Sequence, residues 1–452
     1  MKMTIEHGKP DVINATPTKG LFIKILSRDI SVKACILDLI DNSVDAYIRN
    51  GITDRRKIRL NISKDKFEIL DNCGGIEYNF LKDTVFRFGA DIKRDKPTLG
   101  IYGIGMKRAI LKMGKKIFME TDDGKSFSKI YLDVNEWCKS DNWEIPFEHF
   151  EHSRLSSEKK PYTKIVVTDL YDIIKDKFNL TSFINSIKDA IHITYTFFIT
   201  DKIDFYLNND VKIEPFIIEV RSDELYKPAK YQESFEDVDF EIICFIDPKE
   251  GRTKKELGKR GWNIFFNKRL ILAEDTTGTT GWTGTPEDLP KYHSIYNEFR
   301  GIVFINSEDP SKLPLNTSKT GLDTETAIYD HIRNKMIKTS RPLINYLSRK
   351  YHEEKSSLDE IEEKVATEKI NEIGEEEKAG KAKYVPLEKI EANSKFNAPP
   401  KPKPKEEMRT IKYKRPEKLV KKVKQNLKAN NLKEVGEKTF DYYVELEEIE
   451  DE

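Results

Sequence analysis

Cysteine is scarce. The 452 residues hold four, Cys35, Cys73, Cys138 and Cys244, too scattered for a disulfide framework or a zinc site, so a reducing cytoplasm is the expected compartment. Long apolar runs are missing as well: the longest, around IHITYTFFIT, is broken by polar residues and falls short of the roughly 18 that a spanning helix needs. No membrane association is expected. The N-terminus MKMTIEHGKPDV lacks the apolar core of a signal peptide. Net charge is absent, with 78 basic and 78 acidic residues, so an electrostatic partner must be sought in local patches. There is no repeat at solenoid spacing. No Gly-Lys-Ser/Thr is present either, which excludes a Walker A loop.

What is present sorts into three parts. Hydrophobic residues are 38% and charged residues 35%, an average that hides a globular part and a strongly solvated part. Residues 18–50 repeat apolar positions every three or four, which predicts helix. KIRLNIS and FEILDNCGGI predict a strand pair about a KDK turn. Lys82 to Pro97 is polar and glycine-containing, as a loop or lid is, and a glycine cluster then opens the helix MKRAILKMG. Strands at KKIFMETD, SKIYLDV and TKIVVTDL complete an α+β sandwich over residues 1–175. A second region, 176–350, predicts helix in NLTSFINSIKDAIHITYTFF and strands in KIDFYLN, FEIICFID, WNIFFNKRLIL and GIVFINS, closed by the helix TAIYDHIRNKMIKTSRPLINYLSRKY. Residues 351–452 turn to Glu and Lys, with NAPPKPKPKEE as a linker.

Three segments carry chemistry. In LDLIDNSVDA, Asp38, Asn42 and Ala46 are four apart with Asp41 and Asp45 nearby, so one helix face carries carboxylates and an amide. An amide oxygen with waters suits a magnesium ion that also holds phosphates; alone, the same pattern reads as a solvated acidic face. In EILDNCGGI an apolar strand ends at Asp71, a carboxylate able to accept from an exocyclic amine, and Gly74 and Gly75 let the backbone pass close to a ligand. Alone, this is also a plain turn. In TLGIYGIGMKRAILKMG, Gly100, Gly103 and Gly105 lead into a helix whose N-terminal N–H groups can cradle phosphates.

In this order and at these spacings, LDLIDNSVDA, LDNCGGI and GIYGIGMK resemble the N, G1 and G2 boxes of the GHKL ATPases, the Bergerat-fold superfamily that includes MORC proteins, MutL, type II topoisomerases and heat-shock chaperones. The resemblance covers about residues 15–350. It implies ATP and Mg2+ as cofactors: Asn42 would help hold magnesium, Asp71 read the adenine amine, and Gly75 permit close approach of the base. Thr163, opening TKIVVTDL, would lie near the adenine and its carboxylate. Gly100, Gly103 and Gly105 would wrap the phosphates and Lys107 touch them, with Ala46, Ile76, Ile104 and Met106 of the same boxes completing the nucleotide contacts. Phe86 to Leu99 would be the ATP lid.

Hydrolysing members usually have glutamate as general base where this chain has Asp38, one methylene shorter, so both slow hydrolysis and binding without much turnover are implied. Cys73 stands where the first glycine of the G1 box is usual. LPLNTSKTGLD resembles the loop of an S5-like transducer domain that sends a lysine to the terminal phosphate, with Lys319 the candidate and Lys312 the rival. A homodimeric MORC-like or chaperone-like ATPase follows, its heads closing on ATP to serve a protein partner or effector, with phage defence as one setting. The alternative is a nucleotide-gated binding module. A histidine kinase needs a phosphoacceptor histidine in a helix before the first box, and only His7 stands there. A topoisomerase needs a DNA-cleaving domain for which the chain has no room. GTTGWTGTP receives no role. In the tail, KPKPKEEMRTIKYKRPEKLVKKVKQ sets eleven Lys/Arg against three acids and could neutralise DNA or RNA phosphates, or pair with the acidic DYYVELEEIEDE.

Overall fold

Between residues 19 and 49 the chain forms two helices where one was expected. α1 (Lys19–Arg28) and α2 (Val32–Arg49) part at Asp29–Ser31, because Ser31 is extended and its hydroxyl caps α2 by accepting from the Ala34 N–H at 3.1 Å. The computed structural model describes residues 17–89, 96–100, 103–152, 161–247, 260–316, 319, 321–365, 383–399, 411–447 and 449. His7 and part of the expected lid lie outside them.

β1 (Arg56–Ile62) and β2 (Lys66–Asp71) form the expected hairpin. α3 (Tyr78–Phe80) follows, and a wide π-turn over Leu81–Val85 runs into the segment expected as loop from Lys82. Then follow α4 (Gly105–Met113), β3 (Gly114–Asp122), β4 (Ser126–Asp133), α5 (Val134–Trp137), β5 (Phe147–His152) and β6 (Tyr162–Leu170). Three helices, α6 (Asp172–Asn179), α7 (Thr181–Thr194) and α8 (Thr196–Asp201), lead to β7 (Ile203–Leu207) and β8 (Val211–Ile213). These strands make one eight-stranded sheet of order β5-β4-β3-β6-β2-β1-β7-β8, antiparallel except for β1 with β7. The sheet therefore extends past residue 175, where the first region was expected to end. α1, α2 and α4 share one core with the sheet and with α6 to α8.

β9 (Glu219–Arg221), β10 (Ala229–Phe235), β11 (Val238–Ile246), β12 (Gly261–Phe266), β13 (Arg269–Asp275) and β14 (Phe299–Asn306) come next. A five-stranded sheet results, of order β10-β11-β14-β12-β13, and the long helix α9 (Ala327–Val365) packs on it. WNIFFNKRLIL is a hairpin, not one strand. It turns at Asn267 and Lys268, both with positive φ, the two-residue turn that suits the strand twist. The glycine-rich loop 278–286 is packed structure: a Cβ on Gly281 would meet Ile337 of α9 at 2.7 Å, and Arg333 of α9 donates to the Gly278 carbonyl at 3.3 Å. On the other face of this sheet a further core joins Ile193 and Phe197 of α7 and α8 to Phe265 and Phe304.

Residues 383–399, within the stretch 351–452 expected as charged linker and tail, return to this body. β15 (Tyr384–Pro386) pairs with β9, and Leu387 and Ile390 are buried. Burial of these two side chains adds to the β15–β9 pairing, the Lys227–Asn397 bridge and the packing of Phe396 in holding the segment there. Residues 400–452 form a separate unit, within which α10 (Glu417–Asn426) and α11 (Leu432–Leu446) are the described helices. Part of the basic stretch read in the tail, 401–410, lies outside the described residues. All four cysteines are free thiols. Among the described residues no helix is long and apolar enough to cross a membrane.

Candidate functional site

Alternation along β2 decides where its last residue points. Phe67, Ile69 and Asp71 are buried on one face, so the same period of two that builds the core delivers a carboxylate to it. Register then sets Thr163 of β6 opposite Asp71, and Thr121 of β3 opposite Thr163, with their hydroxyls 3.1 Å apart. Asp71 is 5% exposed. Ser43 of α2 donates to its Oδ2 at 2.7 Å and the Cys73 N–H to its Oδ1 at 2.9 Å. Burial pushes its carboxyl up to about 6, against the pull of those two hydrogen bonds.

Above this polar floor a cavity opens between the sheet, α2 and α4. Asp38, Asn42 and Ala46 of α2 line it, as do Asp71 and Thr163. Ile76 closes its side, its N–H held by the Thr121 hydroxyl at 2.9 Å. From the glycine cluster come Gly100, Gly103, Ile104 and Gly105, followed by Met106 and Lys107. Lys319, from the loop after β14, lies on the same wall. Gly75 does not. Its φ is +67°, and a Cβ there would stand 2.1 Å from the Asp122 carbonyl oxygen, so the close approach that it permits is to the chain's own β3–β4 turn. Gly105 has another reason to be glycine: a Cβ would meet the Asp38 carboxyl carbon at 3.2 Å.

Several charged groups in the cavity already have protein partners. Asp38, 2% exposed, forms an ion pair from Oδ2 to Arg108 Nη2 at 2.7 Å, with Lys319 Nζ 3.8 Å from Oδ1. Lys107, expected to reach phosphates, instead donates to the Val85 and Arg87 carbonyls, each at 2.9 Å. Being 3% exposed, its ammonium requires such acceptors, and burial lowers its pKa to about 8. Asp45 accepts from the N–H groups of Leu99 at 2.5 Å and Gly100 at 2.8 Å, anchoring the far root of the expected lid. Burial raises its carboxyl to about 6 despite Lys319 and those two donors. Asn267, at the β12–β13 turn, donates to the Thr98 carbonyl at 3.2 Å. Lys312, the rival lysine, pairs with Asp237 at 2.5 Å on the surface.

Ser43, Asp45 and Arg108 also line the cavity and were given no role by sequence reasoning, although all three lie inside its motifs. Asp41, Arg269 and Asn267 do not line it but bind groups that do or their partners; of these only Asp41 stood on the expected helix face.

The arrangement offers a buried acceptor in Asp71, main-chain N–H groups at the start of α4, and the cations Lys107, Arg108 and Lys319 on the same lining. Among the described residues no group of three or more His, Cys, Asp or Glu is placed to hold a metal ion. A magnesium ion here would rely on the exposed Asn42 amide together with phosphates and water. No curated protein matches the chain. Residues 30–163 match the model of the family described as Histidine kinase-, DNA gyrase B-, and HSP90-like ATPase. That segment, under a third of the chain, holds Asp38, Asp71, the glycine cluster and Thr163, and the match supports placing it in the GHKL ATPase superfamily, the ATP-binding group to which its three motifs point.

Proposed function

We propose that the chain binds Mg-ATP in this cavity and hydrolyses it slowly, as an ATP-gated homodimeric clamp that couples nucleotide state to a protein partner. The observation that carries the reading is the shared cavity: Asp71 stands at its floor and Lys319, more than 240 residues later in the chain, on its wall. In this reading Asp71 accepts from the adenine amine beside Thr163, and Ala46, Ile76, Ile104 and Met106 pack the base and sugar. Gly100, Gly103 and Gly105 present N–H groups to the phosphates, and Asn42 offers its amide oxygen to Mg2+. Asp38 receives the proton of the attacking water. A second reading, a nucleotide-gated binding module without turnover, is favoured by the 2.7 Å pair to Arg108, which occupies one oxygen of Asp38.

The clamp is tested through Lys319. Only the terminal phosphate separates ATP from ADP, and a compact ammonium arriving from outside the nucleotide-binding segment senses it as a point charge. Lys319→Ala is expected to bind ADP as wild type does but to remain monomeric with a non-hydrolysable ATP analogue in analytical ultracentrifugation. Dimerisation of the variant equal to wild type would sink the clamp. So would a wild type whose association state is the same with ADP and with the analogue.

The reading also fixes a pH dependence. Asp71 titrates near 6 when folded, against 3.8 for an ordinary Asp, so it holds its proton more tightly in the folded chain and subtracts stability as pH rises through that window. At neutral pH it is ionised and accepts; below about 6 it is protonated. The ratio of wild-type to Asp71→Asn ATP affinity is therefore expected to fall between pH 7 and pH 5. Phosphate ionisation is common to both proteins and cancels. A ratio flat across that range, measured by calorimetry, would remove the adenine role.

A further inference from the structure

Asp41, one turn along α2 from Asp38, holds three donors on one carboxylate. Its Oδ1 accepts from Arg269 Nε and from the Tyr195 hydroxyl, both at 2.7 Å, and its Oδ2 accepts from Lys319 Nζ at 2.8 Å. The side chain is fully buried. Burial pushes its carboxyl up, but Arg269 and Lys319 outweigh that and hold it below the usual range. Arg269 begins β13 and Tyr195 joins α7 to α8, so the carboxylate is gripped from two elements besides the loop of Lys319. Lys319 has a left-handed main chain, φ +53°, and Arg269 Nη1 reaches its carbonyl at 3.4 Å. A non-glycine residue held there is set in a strained conformation.

We propose that Asp41 competes with the terminal phosphate for Lys319, and that transfer of this lysine from Asp41 to the phosphate sets the preference for ATP over ADP. The inference rests on the reading that the cavity binds ATP. Three features make the exchange feasible. Lys319 lines the cavity, and Asp38 Oδ1, 3.8 Å from its ammonium, is a second carboxylate beside its path. When the lysine leaves, Arg269 and Tyr195 remain on Oδ1, so no buried charge is stranded. ADP gives the ammonium nothing to move to. A ligand shifts an equilibrium only by its differential affinity for the two states, so whatever the phosphate contact contributes is reduced by the contact given up at Asp41. Asp41 is thus a positioning residue that tunes specificity.

The test compares ATP and ADP affinities of the full chain by calorimetry. Asp41→Asn keeps the side-chain shape but weakens the grip on Lys319, and is expected to raise the ATP-to-ADP affinity ratio by roughly fivefold to tenfold. Arg269→Gln leaves Lys319 as the remaining cation on Asp41 and is expected to lower the ratio by a similar factor. A merely structural role would weaken both nucleotides alike and leave the ratio unmoved. In a Lys319→Ala background neither change should alter the ratio. A ratio in Asp41→Asn at or below that of wild type overturns the proposal. If that variant fails to fold, an unmoved or raised ratio in Arg269→Gln does so. Failure of the underlying reading looks different: wild type binds no ATP, or Lys319→Ala alone leaves the ratio as it is, and the proposal falls with it.

Discussion

Asp38→Asn is expected to lower steady-state ATP hydrolysis by about 100- to 10,000-fold, the usual contribution of a general base, while ATP stays bound. The change is nearly isosteric and keeps an acceptor for Arg108, but it removes the basic oxygen. Asp38 touches the cavity from the side on which Gly103 and Gly105 open α4, so water activated there would approach the phosphate end of a bound nucleotide. Arg108 occupies Oδ2 at 2.7 Å and leaves Oδ1 facing Lys319 at 3.8 Å. Proton transfer is therefore left to one oxygen on a short side chain. Asp38→Glu extends that oxygen by a methylene and is expected to raise the rate. Because removal of Asp38's charge leaves Arg108 buried without its counter-ion, a melting curve must accompany the rate. Turnover in a folded Asp38→Asn variant equal to wild type would exclude Asp38 as the base. Absence of turnover in wild type itself would favour the gated binding module.

Much of the nucleotide-binding segment is legible because its signals are local. The stripe Asp38, Asn42 and Ala46 follows from the helical period, Asp71 from strand alternation after Phe67 and Ile69, and the start of α4 from the glycines before it. The polar network is not legible, because its partners meet only in the folded chain. Arg108 is 70 residues from Asp38, and Arg269 is 228 from Asp41. Nothing in FNKRLIL marks its arginine as a buried ion-pair donor rather than a surface charge. Lys107 shows a different limit: a lysine beside glycines suggests phosphate, and it does line the cavity, but its bonds to the Val85 and Arg87 carbonyls carry no mark in the sequence. The break at Ser31 and the return of residues 383–399 were hidden for a third reason. The first depends on a hydroxyl cap, and the second on a few apolar residues, Leu387, Ile390 and Phe396, with long-range strand pairing, set in sequence that otherwise reads as helix or as charged tail.

Asp71→Ala is expected to weaken ATP binding by roughly 10- to 150-fold, which corresponds to the 1.5–3 kcal/mol of a hydrogen bond with one charged partner. The carboxylate already accepts one bond on each oxygen, from Ser43 and from the Cys73 N–H, and each oxygen has a further lone pair to offer. Those two donors fix its orientation, so the acceptor is in place before a ligand arrives and little ordering remains to be done on binding. Specificity follows from the same atoms. An adenine amine meets the carboxylate as a donor, whereas guanine would present a carbonyl oxygen to it, two acceptors facing each other in a buried site. Asp71→Asn, whose amide can also donate, is therefore expected to narrow the gap between ATP and GTP more than it weakens ATP. The alanine variant leaves the Ser43 hydroxyl and the Cys73 N–H without their acceptor, so its affinity must be read only where melting shows a folded chain. The asparagine variant keeps the side-chain shape and one acceptor oxygen, which can serve the Cys73 N–H while the Ser43 hydroxyl turns to accept from the amide, and so guards against misreading a loss of fold as a loss of contact. Unchanged ATP affinity in folded Asp71→Ala, or an ATP-to-GTP ratio that does not move in Asp71→Asn, would mean that the floor of the cavity does not read adenine.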